Sequence, residues 1–512
     1  MKAPTILLAL WLLPTLGSSQ TGSWEYIVDS AGVSDYFSDV IWNGERFLLV
    51  RQSALFDQFL GTYAGTQVIA VESNGALSNT YSLNWSPRVL ASQLLQRPSS
   101  SESDLMTRVR IDNDEWFNVR VGLDASGSLI DSTWIYAGVY DNYFAENAVR
   151  ASDGGILIAL GGIPTGGFWS SIFTLLRLDA SGEFAGQTQI TDPDLGQNYP
   201  YSIIELSTAT ILVGNHGLLV ENGSPFNFCS LSAFDQNLQP IGGMALMAID
   251  GSSDPPGAFN TLSSRIHLQQ LSGDTILIAG RTGSGGPGSR FAVMKVHWPT
   301  STWLASYLPL SDTPADHPAI TQSISVEPDG TILAAYMENY QIEPTPYLPQ
   351  FPNRVHVVRL DRDLNPICSQ VIDGHADNAY YFPYRIKSTP DGGYLVLGGR
   401  WNFDEPQMGF AAWARKFEAT DCATDLTEIE PSPNVLAYPN PGTDHIIFTL
   451  NDGRGYAQAE LFDAQGRRCL QTPVLQGTAR MDVVHLSAGI YHWRMIDSKG
   501  ELIGHGNWVK GN

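Results

Sequence analysis

Short unbroken apolar runs, each entered through a turn pair and often left through glycine, recur along the chain. Asp391-Gly392-Gly393 leads into Tyr394-Leu395-Val396-Leu397 and then Gly398-Gly399. Asp153-Gly154 leads into Ile156-Leu157-Ile158-Ala159, Ser272-Gly273 into Ile276-Leu277-Ile278-Ala279, and Asp329-Gly330 into Ile332-Leu333-Ala334-Ala335. Asn43-Gly44 precedes Phe47-Leu48-Leu49-Val50, and Ile211-Leu212-Val213-Gly214 is a relative without the turn pair. Four apolar residues are too few for a helix, and the flanks punctuate a strand. Apolar side chains at successive positions put cover on both faces of that strand.

A second motif follows each first one: a strand that ends in an apolar residue and Asp, then a turn. The clear copies are Gly122-Leu123-Asp124, Arg177-Leu178-Asp179, Ala233-Phe234-Asp235 and Arg359-Leu360-Asp361; weaker ones hold Val71, Val296 and Phe417. The markers Val71, Leu123, Leu178, Phe234, Val296, Leu360 and Phe417 are spaced at roughly 50–60 residues, a repeat architecture. Each copy has room for four short antiparallel strands, the content of one blade of a radial ring. The expected fold is all-β: a seven-bladed β-propeller over 20–422, a linker at 423–434, and a small Ig-like β-sandwich over 435–512. The last copy lacks its fourth strand, and Trp24–Asp29 resembles that strand in the preceding copy. The N-terminal strand is therefore expected to close the last blade, which removes an exposed sheet edge.

The turns have a polarity. Connections between the first and second strands of a copy read as two-residue Asp-Gly turns, and those between the third and fourth as tight Asp-x-x-Gly turns. The other two connections are long and varied, and in a meander they share one rim. Function concentrates on such loops.

Composition narrows the class. Only 16% of residues are charged, Gly numbers 49, and the net charge is −23. Nucleic-acid binding needs a basic stripe, and none is present. Residues 1–19 read as a secretory signal: Lys2, the apolar Ile6–Leu13, then Gly17-Ser18-Ser19 before Gln20. The apolar run is too short for a permanent membrane span. Four cysteines, Cys229, Cys368, Cys422 and Cys469, lack CxxC spacing and read as buried thiols, with a Cys368–Cys422 bridge as the alternative.

Local catalytic motifs are missing. The histidines of the repeat region, His216, His267, His297, His317, His356 and His375, have no HxH or HExxH spacing, so no metal and no cofactor is expected. His317 and His375 fall in loops between copies. Asp112-Asn113-Asp114-Glu115 lacks the glycine and distal Glu of a calcium loop and reads as the first turn of the second copy. Gly283–Ser289 is Gly-rich without the Lys of a phosphate loop. Aromatic residues collect in the variable loops: Phe56, Phe59, Tyr63, Trp169, Tyr340, Tyr347 and Trp401. Exposed rings suit glycan or protein binding, and the expected ligand-binding set is Trp169, Tyr340, Tyr347, Trp401 and His375. Tyr143, Tyr199 and Tyr381 recur before the first strand of a copy and read as packing residues.

The C-terminal stretch changes pattern. Tyr438-Pro439-Asn440-Pro441, Leu461-Phe462-Asp463-Ala464-Gln465-Gly466-Arg467, Leu486-Ser487-Ala488-Gly489-Ile490-Tyr491 and Asn507-Trp508-Val509-Lys510 occur in order. Together they closely resemble the type A C-terminal sorting domain of the type IX secretion system of Bacteroidota. Tyr438, Pro439, Asn440, Pro441, Gly466, Gly489, Tyr491 and Lys510 are the matching motif residues. The resemblance implies export to the periplasm, passage across the outer membrane by the type IX machinery, and release or surface attachment. The repeat region has a looser likeness to exported propellers that carry this tail, and that likeness implies no activity. Two function classes follow. One is a secreted or surface propeller that binds a glycan or protein; the other is a propeller hydrolase or lyase acting on extracellular polysaccharide. The missing catalytic motif favours the first.

Overall fold

The computed structural model describes residues 23–511 except 31–32, 56–62, 84–87, 99, 111–115, 136–141, 164–171, 192–194, 222–223, 247–265, 283–289, 310–315, 339, 341–347, 422–434, 451–455, 464–467, 476 and 498–501. The chain divides into two compact units, Met1–Ala423 and Thr424–Asn512. Among the described residues there is no α-helix, and no helix long and apolar enough to cross a membrane.

The N-terminal unit is built from antiparallel sheets, each running from an inner to an outer strand. The first holds Val33–Trp42, Phe47–Leu55, Tyr63–Val71 and Leu77–Leu83; the second Arg88–Gln96, Ser103–Arg110, Trp116–Leu123 and Leu129–Ile135. The third holds Asn142–Arg150, Ile156–Ile163, Ile172–Leu178 and Phe184–Thr191; the fourth Leu195–Glu205, Ile211–Glu221, Ser224–Phe234 and Pro240–Ala245. The fifth holds His267–Ser272, Thr275–Thr282, Arg290–His297 and Thr302–Tyr307. In the sixth the inner strand is split into His317–Pro318 and Ile324–Val326, followed by Ile332–Met337, Arg354–Leu360 and Pro366–Asp373. The closing sheet takes Ala379–Ser388, Tyr394–Asn402 and Phe410–Phe417 from this end of the unit and Trp24–Val28 from the other. Trp24 lies opposite Lys416 and Val28 opposite Ala412, so the N-terminal strand occupies the outer edge anticipated from its sequence. Inner strands touch in cyclic order from the first sheet to the closing one and back.

The apolar runs explain this arrangement. Leu48 and Val50 enter the core between the first and second sheets, while Phe47 and Leu49 enter the core between the first and closing sheets. The run Tyr394–Leu397 splits in the same way, Tyr394 and Val396 to one side, Leu395 and Leu397 to the other. Period-two alternation thus feeds two cores from one strand. Each such side chain, fully withdrawn from water, contributes roughly 1.5–3 kcal/mol.

In the third sheet both short connections share one design, which corrects the two-residue turn expected between its first two strands, whereas the fifth sheet keeps a two-residue turn, Gly273-Asp274, between the paired Ser272 and Thr275. The Asp179 N–H donates to the Glu183 carbonyl (2.8 Å), and the Gly182 N–H returns to the Asp179 carbonyl (3.0 Å). Ala151, Gly154 and Gly155 repeat this between the first two strands of the third sheet. The physical reason is a type I turn followed by a left-handed residue. The glycine of Asp-Gly fills that left-handed position, with φ +88° at Gly182 and +87° at Gly154. Side chains lock the outer turns: Asp124 Oδ1 accepts from the N–H groups of Ser126 and Ser128, and Asp361 Oδ1 from those of Asp363 and Asn365.

The first turn expected at 112–115 lies outside the described residues, and one further expectation is corrected. Cys368 is disulfide-bonded rather than a thiol, with its partner outside the described residues, while Cys229 is buried.

In the C-terminal unit one path of strands runs Val435–Tyr438, His445–Leu450, Thr478–Asp482, Arg468–Leu475, Tyr456–Phe462, Gly489–Asp497 and Leu502–Lys510. Alternate residues from both halves of the path meet in one core, where Phe448 packs edge-on against Trp493 at 5.5 Å.

Candidate functional site

The inner strands of the N-terminal unit carry a feature that the apolar pattern hides. Several contain a β-bulge at the same level: Phe37/Asp39, Ala91/Gln93, Ala145/Asn147, Pro200/Ser202 and Pro383/Arg385. A bulge turns the next side chain out of the regular alternation. Here the turned side chain reaches the backbone of the neighbouring sheet. Asp39 Oδ2 accepts from the Leu94 N–H (2.6 Å) and Gln93 Oε1 from the Ala148 N–H (2.8 Å). Asn147 Nδ2 donates to the Tyr201 carbonyl (2.9 Å), and Ser202 Oγ accepts from the Leu268 N–H (3.0 Å). His267 Nδ1 accepts from the Ser323 N–H (3.1 Å), and the Gln322 carbonyl from the Ile386 N–H (3.0 Å). Arg385 Nη1 then meets Asp39 Oδ1 at 2.6 Å, and the belt is closed.

Sequence reasoning passes over these residues, although a signal exists. Each of Asp39, Gln93, Asn147, Ser202, His267, Ser323 and Arg385 immediately precedes an apolar residue of an inner strand. Gln93→Leu is expected to leave the buried Ala148 N–H without its acceptor and to cost about 1–3 kcal/mol. Urea denaturation checks it; a change below about 0.3 kcal/mol would remove the belt from the account of ring closure.

Belt electrostatics concentrate at the seam between the closing and first sheets. Asp39 is fully buried, and burial pushes its carboxyl up against the opposing pull of Arg385 and two backbone N–H groups. Lys387, two residues beyond Arg385, has its ammonium pKa pushed down, first by burial and then by the Arg385 charge.

The end of the sheets from which the varied connections leave holds a second group of polar side chains. Glu338 Oε1 lies 2.7 Å from His356 Nε2, and this bond is the main reason its carboxyl stays below the ordinary range. His356 stacks on Tyr336 (4.8 Å), which stacks on Phe291 (5.0 Å). Burial raises the Tyr336 phenol strongly, and the Tyr307 phenol is pushed up to about 12, by burial and then by Asp316. A carboxylate-bound imidazole is the pairing that general acid–base chemistry uses. Among the described residues no group of three or more His, Cys, Asp or Glu is arranged to hold a metal ion.

Among the described members of the predicted ligand-binding set, Tyr340 and Trp401 pack into one core cluster and do not form an exposed surface. Trp169 and Tyr347 lie outside the described residues. Trp401 is a correction: it is 3% exposed and packs edge-on against Phe410 at 5.3 Å, because the strand Tyr394–Asn402 runs past its two glycines and carries the ring into the core. Tyr340 is partly buried, stacked on His317 at 4.3 Å. His375 is exposed in the turn after the sixth sheet, where its N–H donates to Asp373 Oδ1 (3.1 Å).

The sorting motifs, in contrast, converge. Asn440 Oδ1 accepts from the Val509 N–H and Asn440 Nδ2 donates to the Asn507 carbonyl, both at 2.9 Å, as a neighbouring strand would. Trp508 Nε1 donates to the Pro439 carbonyl (2.6 Å), and Gly442, just after Pro441, bridges to Lys510. The Tyr491 hydroxyl donates to the Ser487 carbonyl (2.9 Å), and its ring lies 6.1 Å from that of Trp508. Gly489 pairs with Lys510, Tyr438 is exposed, and Gly466 lies outside the described residues.

Residues 436–504 match the family described as Secretion system C-terminal sorting domain, so the C-terminal unit carries a type IX export tail. No curated protein matches the chain. Among solved structures, it is similar to the β-propeller domain of the Trilobed protease from Pyrococcus furiosus, at 11% identity and TM-score 0.43 over 78% of this chain and 99% of that one. The NanB sialidase from Streptococcus pneumoniae is matched at 11% identity and TM-score 0.38 over 80% and 70%. A Synechocystis apocarotenoid oxygenase is matched at 12% identity and TM-score 0.39 over 68% and 73%. The strand pairings described above, four-stranded antiparallel blades around an axis, identify the N-terminal unit as β-propeller-like, and the tail marks the chain as one exported to the cell surface or beyond.

Proposed function

We propose that this is a seven-bladed β-propeller with an Ig-like sorting sandwich, made in a Bacteroidota cell, led to the periplasm by residues 1–19, and exported to bind a glycan or protein. The observation that carries the binding reading is one-sidedness. At one end the sheets close through short turns, several of them held by their own Asp carboxylates. The long connections between strands leave from the other end, where a scaffold presents a binding surface. His375 and Tyr340 belong to that end. The His356–Glu338 pair supports a second reading, a hydrolase or lyase acting on extracellular polysaccharide.

Export and recognition are tested separately. A chain lacking residues 424–512 is expected to accumulate in the periplasm of a type IX-competent host while the full chain reaches the medium or surface; equal export of both would refute the role of the tail. The exported protein is then screened on a glycan array and against polysaccharide substrates. Retention without turnover supports the binding reading, whereas turnover abolished by His356→Ala replaces it with the enzymatic one.

A further inference from the structure

The motifs that mark the sorting domain are spent inside it. Asn440 bonds to the backbone of Asn507 and Val509, Trp508 to the Pro439 carbonyl and Tyr491 to the Ser487 carbonyl. The rings of Tyr491 and Trp508 belong to the core of the unit. These residues shape the tail, and the export machinery meets what they leave outside. Strand alternation locates that surface. Tyr491 and Trp508 are register partners facing the core, so the adjacent register pair, Ile490 and Val509, faces outward. The two are 59% and 37% exposed.

The same face continues in register. His492 lies opposite Asn507 on one side and Phe462 on the other, and Arg494 lies opposite Glu460. Glu460 is buried although its strand face is the outer one, because Arg494 Nε and Arg468 Nη1 cover its two oxygens at 2.6 and 2.5 Å. Both arginines keep half of their side-chain surface exposed, and Arg494 also lies over the Phe462 ring at 5.1 Å. One carboxylate beneath two guanidiniums leaves a surplus positive charge, on a chain whose net charge is −23. The face thus joins an aliphatic end to a cationic one. In the other half of the unit, the outward positions of Thr478–Asp482 are Thr478, Arg480 and Asp482. Apolar contact flanked by arginine is the composition of a protein interface, whereas isolated exposed residues are ordinary surface.

We infer that the outer face carrying Ile490, Val509, Arg494 and Arg468 is the surface that the type IX machinery reads on this tail, and that the component docking there offers an apolar patch flanked by carboxylates. The aliphatic pair supplies the area withdrawn from water, and the arginine pair supplies orientation and rejects basic partners. The inference rests on the role of the tail in export and goes beyond it: the motif residues fold the tail, and a different set on the reverse side of the same strands is recognised.

The test follows the full chain in a type IX-competent host. Ile490→Asp and Arg494→Gln are each expected to lower the ratio of exported to periplasmic protein at least about tenfold. The protein retained in the periplasm is purified, and its urea midpoint is expected to match that of the parent, which separates lost recognition from lost folding. Arg480→Gln, which removes an exposed cation from the other half of the unit, should be exported like the parent. If Ile490→Asp does not fold, the double variant Ile490→Thr, Val509→Thr replaces it, since threonine keeps the β-branched shape that suits an exposed strand. Retention of a folded variant upholds the face, and export at the parent level overturns it. Retention of Arg480→Gln to the same degree also overturns it, because charge alone would then decide. A chain lacking residues 424–512 runs alongside. If it is exported too, the role of the tail fails; if it is retained while the face variants are exported, only the face fails. A parent that sediments as a dimer and becomes monomeric in Ile490→Asp with export intact gives the face to a second copy, and overturns the inference as well.

Discussion

Removing residues 21–30 from the mature chain lowers the stability of the propeller by about 3–5 kcal/mol, the sum expected from three half-buried side chains and a lost strand edge. Trp24, Tyr26 and Val28 alternate inward on this strand and pack against the first sheet, Trp24 at 6.0 Å from Phe47 and Tyr26 at 6.1 Å from Phe37. Trp413, fully buried, also loses the acceptor of its indole N–H, Glu25 Oε1 at 2.7 Å. Without the strand, Phe410–Phe417 becomes an open edge, so aggregation accompanies the loss. Urea denaturation measures the difference. Ile27→Ser is the control, since Ile27 points outward at 42% exposure and its change stays within about 0.5 kcal/mol. A deletion that melted with the parent's midpoint would show that the ring does not depend on its amino-terminal clasp.

Asp104→Ala is the second large effect, a loss of about 3–5 kcal/mol at neutral pH. Asp104 is 1% exposed and lies beneath three arginines. Its Oδ1 accepts from Arg97 Nη2 and from Arg120 Nε, each at 2.9 Å, and its Oδ2 from Arg150 Nη2. Arg150 comes from the third sheet, so the cluster also joins two blades. Removing the carboxylate strands the guanidinium charges, and among the described residues the remaining carboxylates paired with them are the more exposed Glu102 and Asp131. Burial by itself would raise the Asp104 carboxyl, but the bonds from Arg97 and Arg150 outweigh it and hold it below 3.8. The sign follows: a depressed carboxyl stabilises the fold fully above its unfolded pKa and loses that contribution as pH falls through the folded value. The gap between parent and variant is therefore constant from pH 7 to about 5 and narrows in acid below 3.8. A gap that widened in acid would contradict the assignment.

Much of this architecture is legible because it rests on repetition of one chemical type. The runs at Phe47–Val50, Ile156–Ala159 and Tyr394–Leu397 are apolar throughout, since each must fill two cores at once. Asp124, Asp179, Asp235 and Asp361 recur because a carboxylate is the side chain that accepts from two turn N–H groups together. The belt escapes notice for the opposite reason. A backbone N–H accepts any oxygen or ring nitrogen as partner, so Asp39, Gln93, Ser202 and His267 do one job with four chemistries, and only register makes them equivalent. Trp401 misleads through its place after two glycines, which mark a loop when read alone. Gly398 in fact sits against the Phe382 carbonyl, where a Cβ would meet it at 2.0 Å, so the glycines record close strand packing and not the end of the strand. The binding surface is the least legible part. Its connections share no pattern among copies, and two of the aromatic residues that stand out in the sequence, Tyr340 and Trp401, are packed against His317 and Phe410.

The clasp has a topological corollary. Because Trp24 and Lys416 are antiparallel neighbours, a short peptide could splice the two ends of the propeller into an endless chain. New ends could then be opened at the exposed turn around His375, which would leave the closing sheet wound from consecutive strands. Such a circular permutant would keep the Asp39–Arg385 junction while uncoupling it from the ends of the polypeptide.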